Sequence, residues 1–324
     1  IGILYGDKKV MNGSELRAIS DEQLAAVIGD YRVFARTSPE DKIRIVKAFR
    51  AAGEVVAMTG DGVNDAPALK AADVGIAMGS GTDVAKEAAD MILLDDNFAT
   101  IVTAVEEGRR VYSNIRKSLY SMLGCNFSAL TIVLFSLIFG WGSPVTALQL
   151  LIIKVACDGI PGFSLCLEKA DPDIMKMPPV KRGSSIFSEG LITKIIEITA
   201  VFTVVTLIPM CVGMYCPIGG VAPSVAVAQT MTFFVMGLTT VVHVYNCRSR
   251  YSAFRRGMGV NRLVVGTTLL GTVVMVLITA VPPVAQLFGL VPLGVRNWLI
   301  MIALSVSPLV YVEIMKALGR FKTI

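Results

Sequence analysis

The chain has 324 residues, of which 54% are hydrophobic and 17% charged, with a mean hydropathy of +0.65. This composition excludes an ordinary soluble protein and predicts several membrane spans. The formal net charge is +5, but most basic residues after Lys117 lie in short linkers between apolar segments, where membrane topology accounts for them. We therefore expect no nucleic-acid partner.

The first hundred residues alternate apolar runs with helical patterns, which predicts a parallel α/β sheet. Ser38 is a predicted N-cap for a helix that starts at Pro39 and stops at Gly53, and a second helix is predicted from Thr82. These elements form half of a doubly wound sheet, whose other half we expect upstream of Ile1. The predicted strands are 31–35, 54–58, 74–78 and 91–94.

The string Thr59–Pro67 follows the second of these strands and contains two carboxylates, an amide and small turn-forming residues. Ligands of open α/β sheets bind at the carboxyl ends of the strands. A phosphoryl group in transfer needs its charge neutralised by Mg²⁺ and by fixed donors. We predict that Asp61 ligates Mg²⁺, that Asn64 and Asp65 orient the water, phosphate or ligand shell, and that Lys42 acts on the phosphate as a point charge.

A long helical pattern without proline begins at Asn97 and continues into the first of six apolar segments. A continuous helix here would carry motion from the soluble part into the membrane. Each apolar segment is close to the ~20 residues that a helix needs to cross a bilayer. The six predicted spans are 119–139, 147–167, 190–214, 226–246, 262–281 and 297–317.

The linkers between these segments alternate in charge. Those at 168–189 and 247–262 and the C-terminal tail are basic, whereas the opposite linkers contain only Arg296. The positive-inside rule then places the soluble part, both basic linkers and the tail in the cytoplasm, which is consistent only with an even number of spans. We expect a multi-pass protein in contact with membrane lipid, and short extracytoplasmic linkers favour the plasma membrane.

Lys154 and Asp158 are the ionisable residues predicted near the centre of a span. They are four residues apart, so they share a helix face and can pair. Pro161 follows, and in an α-helix it would deprive the Cys157 carbonyl of its amide partner, which Gly159 makes easier. A freed carbonyl beside a carboxylate predicts a cation site.

Several further strings follow Thr59–Pro67 in the chain: Gly75–Thr82, Asp95–Phe98, Glu106–Arg109, Gln149–Leu151, Asp158–Pro161 and Asp171–Met175. Together and in this order, these strings resemble the P-type cation-transporting ATPases, most closely the calcium and sodium/potassium pump branch. The resemblance covers essentially the whole chain and implies an α/β haloacid-dehalogenase-like (Rossmann-like) partial domain followed by an all-α six-helix transmembrane domain. It divides the chain into the end of a phosphorylation domain at 1–97, a connecting helix at 98–118 and a membrane domain at 119–324.

The resemblance implies ATP-driven cation transport through an aspartyl-phosphate intermediate, with Mg²⁺ as cofactor and ATP bound mainly by a domain absent from the chain. Asp61 would be a Mg²⁺ ligand and Lys42 the lysine that stabilises the aspartyl phosphate. The family's Asp-Lys-Thr-Gly-Thr string does not occur in the sequence. We therefore expect the chain alone to be inactive and the missing N-terminal portion of the pump to be its partner. The surroundings of the phosphate and metal would be Thr59, Gly60, Asn64 and Asp65.

By the same resemblance, Asn126 and Asp158 match ion-ligating positions of the family. Compared with the calcium-pump pattern, other positions have lost carboxylates and one has gained an ammonium group, which argues against a site for two Ca²⁺. Lys154 then has two interpretations: a tethered counter-cation that reduces the transported charge, or a buried ion pair that only satisfies Asp158. The departures from the calcium-pump pattern are Ala129, Lys154, Cys157 and Thr240.

Two alternative functions stay open from the sequence. One is a truncated, non-catalytic regulatory protein derived from a pump, and the other is a phosphatase-like domain fused to an unrelated channel. An Asp-Lys-Thr-Gly-Thr string encoded upstream of Ile1 would favour the pump, whereas a start codon just before Ile1 would favour the truncated protein. The transported cation, its stoichiometry, a counter-ion and accessory subunits also stay open.

Overall fold

The computed structural model describes residues 6–253 and 261–319. It contains two compact units, one of residues 6–107 with Met175–Ser185 and the other of residues 108–174 with the described residues after 185. The predicted domain boundaries at 97 and 118 stay predictions. Four of the basic residues used to predict the membrane topology lie outside the described residues: Arg255, Arg256, Arg320 and Lys322.

Two small parallel sheets form the first unit. The strands are β1 (Lys9–Asn12), β2 (Tyr31–Ala35), β3 (Ala57–Gly60), β4 (Val74–Met78) and β5 (Met91–Leu93), and the helices between them are α1 (Gly13–Arg17), α2 (Asp21–Val27), α3 (Pro39–Ala51), α4 (Ala66–Ala71) and α5 (Asp83–Ala88). One sheet contains β1 and β2, and the other contains three strands in the order β3-β4-β5. The sequence predicted a single sheet, and β1, α1, α2 and α4 were not predicted.

Capping determines where the helices of this unit begin. The Ser38 hydroxyl accepts a hydrogen bond from the Asp41 amide at 3.2 Å, and the Asp41 carboxylate accepts one from the Ser38 amide at 2.9 Å. This reciprocal arrangement satisfies two backbone donors that an uncapped helix would leave unpaired. Thr82 caps α5 in a similar way, through the Ala85 amide at 3.4 Å. The predicted helices after Ser38 and Thr82 are confirmed.

The predicted buried strand at 54–58 is wrong in its boundaries and in its burial. Val55 is 57% exposed, and the parallel ladder starts only at Ala57, opposite Val74. Before that point Val56 bonds with Asp73, whose carboxylate accepts the Val56 amide at 3.0 Å and whose own amide donates to the Val56 carbonyl at 2.9 Å. Within the described residues β3 is an edge strand, so its backbone is paired with β4 only.

Six helices of the described chain are long and apolar enough to cross a membrane, which confirms the predicted number. The first continues unbroken from the soluble unit, as predicted, and the Asn97 side chain accepts a hydrogen bond from the Ala99 amide at its start (3.0 Å). The fourth packs against the third, fifth and sixth and is the most buried. The spans, numbered in chain order, are Ala99–Ile138, Ala147–Leu167, Leu191–Tyr215, Val225–Cys247, Arg262–Ala280 and Val295–Ala317.

Gly213 allows the third and fourth spans to approach closely. A Cβ atom at this position would overlap the backbone of Ala228. We expect Gly213→Val to destabilise the folded chain by about 1–3 kcal/mol through overpacking, seen as a lower thermal midpoint in detergent. Gly266→Val in the fifth span is the control, because a Cβ there has no atom within 4 Å. Equal midpoints for the two variants would contradict the close packing.

Candidate functional site

The string Thr59–Pro67 lies where the sequence predicted it, at the carboxyl end of a parallel strand. Thr59 and Gly60 are the last two residues of β3, and Asp61 begins the loop that follows. A single 3₁₀ turn, Val63–Asp65, then leads into α4, which has Pro67 in its first turn. The side chains of Asp61 and Asn64 lie in this short loop and are exposed.

Lys42 and Asp65 form an ion pair at the base of the loop. Lys42 Nζ lies 2.5 Å from Asp65 Oδ1, and the Asp65 side chain is only 10% exposed. The Gly62 amide donates to Asp65 Oδ2 at 3.4 Å. Burial alone would raise the pKa of Asp65, but the ammonium of Lys42 and the nearby backbone amides of Gly62 and Asp61 outweigh it and hold the pKa below its usual value.

Two glycines give this pair and the loop their shape. A Cβ on Gly60 would overlap the Asp65 side chain, so Asp65 can approach β3 only because residue 60 has no side chain. A Cβ on Gly81 would lie 2.9 Å from the carbonyl oxygen of Asp61. The Thr82 amide donates to that same oxygen at 2.8 Å. The turn after β4 therefore holds the backbone of Asp61, a role that the sequence analysis missed although the glycine-rich run Gly79–Thr82 signals a tight turn.

The arrangement is compatible with Mg²⁺ bound together with a phosphate. Mg²⁺ commonly takes one or two carboxylates and completes its octahedron with water and phosphate oxygens. Asp61 offers one exposed carboxylate, while Asp65 is engaged by Lys42. In residues 6–253 and 261–319, no three side chains of His, Cys, Asp or Glu are grouped to hold a metal by themselves. These donors thus fit a metal ion that is coordinated partly by the protein and partly by phosphate oxygens and water.

Lys154 and Asp158 form the predicted pair in the second span. Lys154 Nζ lies 3.0 Å from Asp158 Oδ2, and the Asp158 side chain is 3% exposed. Asp158 Oδ1 is buried and has no hydrogen-bond partner among the described residues. A buried carboxylate oxygen without a donor is costly unless something else satisfies it, so this oxygen is available to a further partner.

The helix around this pair is wider than an α-helix. Residues Ile153–Gly159 form a π-helix, in which the Ile160 amide donates to the Val155 carbonyl. In this register Pro161 stands where the donor to the Ala156 carbonyl would be, so that carbonyl lacks its helical donor. The freed carbonyl was predicted at Cys157 from α-helical spacing, and for Cys157 itself it stays a prediction. The Ala156 oxygen faces the fifth span, where a Cβ on Gly271 would lie 2.9 Å from it.

The other predicted ion-path residues are only partly brought together. Thr240 is buried in the fourth span, donates to the Met236 carbonyl at 2.9 Å and lies near the Cys125 thiol of the first span. The sequence analysis did not predict Cys125 as a neighbour of Thr240. The only sequence feature that pointed to Cys125 was its position one residue before the predicted ion ligand Asn126. Cys157 is fully buried in an apolar cluster.

Asn126 lies apart from this group. Its side chain is exposed, and its amide Nδ2 donates to the Met122 carbonyl of its own helix at 2.7 Å. The contacts of the described residues do not join it to Asp158. The helical register explains this difference, because Cys125 and Asn126 are adjacent and point to different sides of the first span.

The fold and the loop define an α/β haloacid-dehalogenase-like unit joined to a six-helix membrane unit. Residues 7–73 and 43–105 match family models described as haloacid dehalogenase-like hydrolase. Residues 142–318, more than half of the chain, match the model of the cation transporting ATPase C-terminus. The chain belongs to the P-type cation-transporting ATPases.

Individual relatives agree with this family. The chain is 43% identical over 98% of its length to calcium-transporting ATPase 1 of Bacillus cereus and 37% identical over 93% to a calcium-transporting ATPase of Bacillus subtilis. It is 36% identical over 99% of its length to the human calcium-transporting ATPase type 2C member 2. The chain spans 37%, 33% and 34% of the lengths of these three proteins.

Replacing Lys42 by methionine tests the ion pair through pH. The native pKa of Asp65 is lowered, so its ionisation stabilises the fold above the pKa of an unfolded aspartate, about 3.9, and this contribution is lost as the pH falls through the native value. We expect Lys42→Met to lose about 1 kcal/mol at neutral pH, with the deficit shrinking below pH 4.

The measurement is thermal unfolding of the whole chain by circular dichroism between pH 3 and 7. Lys47→Met is the matched control, because Lys47 is an exposed lysine of the same helix. A pH-independent deficit in Lys42→Met, or the same deficit in Lys47→Met, would contradict a stabilising pair.

Proposed function

We propose that this chain supplies the Mg²⁺ and phosphate half of the catalytic site, and the ion-conducting helices, of an ATP-driven cation pump with an aspartyl-phosphate intermediate. The Lys42–Asp65 pair beside the exposed Asp61, at the carboxyl end of β3, is the observation that carries the proposal. Family membership and relatives named calcium-transporting ATPases support it. The chain would act with the N-terminal portion that contains the phosphorylated aspartate and most of the ATP site.

Each residue of the loop has a distinct task in this proposal. Asp61 ligates Mg²⁺, which when bound supplies positive charge to the transferring phosphoryl group. Lys42 is held by Asp65 in a defined position and presents its ammonium to the phosphate. Thr59 and Gly60 form the floor of the site, since they are the last residues of β3, and Asn64 orients water or phosphate from the exposed turn.

We further propose that the phosphate site faces the cytoplasm and that the pump lies in the plasma membrane. The basic linker 168–189 and the soluble unit would share the cytoplasmic side by the positive-inside rule. The proposed domain roles follow: residues 1–97 end the phosphorylation domain, 98–118 connect it to the membrane, and 119–324 form the membrane domain. The pump would move cations outward from the cytoplasm.

The Lys154–Asp158 pair supports a tethered counter-cation. Its ammonium neutralises the carboxylate at 3.0 Å, so the pair has no net charge to offer a divalent cation. Its neighbours at Thr240 and Cys125 are uncharged hydroxyl and thiol groups. A membrane site of low net charge favours a monovalent cation or a proton over Ca²⁺, since uncompensated charge is costly in a bilayer. Asp158 Oδ1, which has no partner in the described chain, would be the cargo ligand.

Phosphorylation by labelled ATP and Mg²⁺ tests the proposed chemistry. We expect no acid-stable label on the chain alone, and a label on the pump that joins it to the N-terminal portion. In that pump Asp61→Asn should lower turnover by about 10²- to 10³-fold, because a metal ligand at the reacting phosphate is lost. Asp83→Asn, an exposed aspartate in the first turn of α5, should leave turnover unchanged. A stable label on the isolated chain would overturn the proposal.

Replacing Lys154 by methionine in the pump tests the counter-cation. Without its ammonium, Asp158 needs an external cation to neutralise it, so the cation concentration for half-maximal ATPase should shift by about tenfold. Lys154→Arg keeps the charge and should behave like the parent, and Lys154→Met with Asp158→Asn separates charge from packing. The measurement is ATPase activity against Ca²⁺, Na⁺, K⁺ and pH. Unchanged cation stimulation in Lys154→Met would leave the pair a purely structural one.

A further inference from the structure

A cavity lies beside the linker between the fifth and sixth spans. Its volume is about 120 Å³, and its wall combines the end of the fifth span, the short helix Pro282–Leu287, the linker after that helix and the start of the sixth span. A cavity of similar size, about 150 Å³, can hold one benzene molecule. This cavity therefore has room for a single small ring. Its lining includes Thr279, Ala280, Ala285, Leu290, Leu293 and Trp298.

Hydrogen bonds to two other spans hold the linker that forms part of this wall. The Val291 amide donates to Thr230 Oγ1 of the fourth span at 3.1 Å. Gln149 Nε2, in the first turn of the second span, donates to the Phe288 carbonyl at 2.8 Å. A site that is already formed needs less ordering when a ligand binds than a site that must close around it. The shape of the cavity is therefore fixed before any ligand enters.

Thr279 contributes an unsatisfied hydroxyl to the cavity wall. The residue is 4% exposed, and its Oγ1 is buried without a hydrogen-bond partner among the described residues. Two other threonines of the same span differ, because Thr272 donates to the Thr268 carbonyl at 2.8 Å and Thr268 donates to the Val264 carbonyl at 2.7 Å. A buried hydroxyl without a partner gains free energy when one becomes available. Thr279 can therefore offer a hydrogen bond to a molecule in the cavity.

Trp298 contributes a large apolar surface to the same cavity. Its ring packs edge-to-face on Phe234 of the fourth span, with centroids 4.9 Å apart and planes at 75°. This contact fixes the orientation of the indole ring. The described residues that line the cavity include no Asp, Glu, Lys or Arg. A charged ligand would lose its hydration here without gaining an opposite charge, so the lining favours a neutral molecule.

We propose that this cavity is a binding site for a small neutral alcohol, whose compact hydrocarbon group packs against Trp298 and whose hydroxyl bonds to Thr279. The site selects an alcohol over a hydrocarbon of the same shape, because Thr279 Oγ1 gives up no other partner among the described residues when it bonds to the ligand. The inference is independent of the proposed pump function, since it involves neither the phosphate loop nor the Lys154–Asp158 pair.

Tryptophan fluorescence of the complete chain in detergent tests the site. Trp141 and Trp298 are the two tryptophans of the sequence, so Trp141→Phe makes Trp298 the only indole. The probes are cyclopentanol and methylcyclopentane, which have similar shapes and of which only the first has a hydroxyl. We expect each probe to shift the emission to shorter wavelengths in a saturable way, because a hydrocarbon ring makes the surroundings of the indole less polar. Ala280→Phe should abolish both shifts, because the larger side chain fills part of the cavity from an exposed lining position.

Thr279→Val in the same background tests the hydroxyl while it keeps the shape of the side chain. The dissociation constant for cyclopentanol should rise about five- to tenfold through the loss of one hydrogen bond, and that for methylcyclopentane should not rise. Thr272→Val is the matched control and should change neither constant, because the Thr272 hydroxyl is already bonded within the helix and does not line the cavity. Each probe is compared between variants only, so its partition into detergent cancels.

The outcomes separate the site from the role of its hydroxyl. An emission shift that rises linearly with probe concentration, or one that persists unchanged in Ala280→Phe, overturns the site. Equal changes of the two dissociation constants in Thr279→Val, or the same change in Thr272→Val, overturn the role of the Thr279 hydroxyl. These measurements need no ATP, so their result does not depend on whether the proposed pump function holds.

Discussion

The ion pair between Lys42 and Asp65 is the contact on which the geometry of the candidate site depends. It joins the start of α3 to the start of α4 over the end of β3, with Nζ and Oδ1 2.5 Å apart. Its geometry requires a residue without a side chain at Gly60, and its charge lowers the pKa of Asp65 against the effect of burial. Asp61 is left exposed beside the pair. One neutralised carboxylate beside one open carboxylate is compatible with the proposed site for Mg²⁺ and phosphate.

A second pair sets the electrostatics of the membrane unit. Lys154 and Asp158 are close in a π-helical segment, where the wider turn and Pro161 leave the Ala156 carbonyl without its helical donor. The relatives are named calcium-transporting ATPases, yet this chain neutralises its own buried carboxylate with an ammonium. The two pairs have the same charges but different consequences. In the α/β unit Asp65 positions Lys42, and in the membrane unit Lys154 compensates the charge of Asp158.

Local signals explain which parts of the fold could be predicted. The Ser38 cap, the Pro39 first turn and the six apolar stretches are properties of short segments, and these elements appear where expected. The predicted strand at 54–58 was wrong because Val55 and Val56 lie before the ladder, which starts only at Ala57, and apolarity alone does not reveal where strand pairing begins. The contact between Arg182 and Asp73 also has no local signal, since the two residues are more than a hundred residues apart in the chain.

The sequence by itself determined the family, the spans, the phosphate loop and the pairing of Lys154 with Asp158, because these depend on residue order within a few helical or strand turns. Only the tertiary structure decided that Asp65 takes Lys42 as its partner, that Asn126 points away while Cys125 lies near Thr240, and that a π-helical turn leaves the Ala156 carbonyl without its helical donor. These outcomes depend on helix register and on contacts between distant segments. A one-residue shift in register changes which side chain faces a neighbour, and residue order alone does not specify that shift.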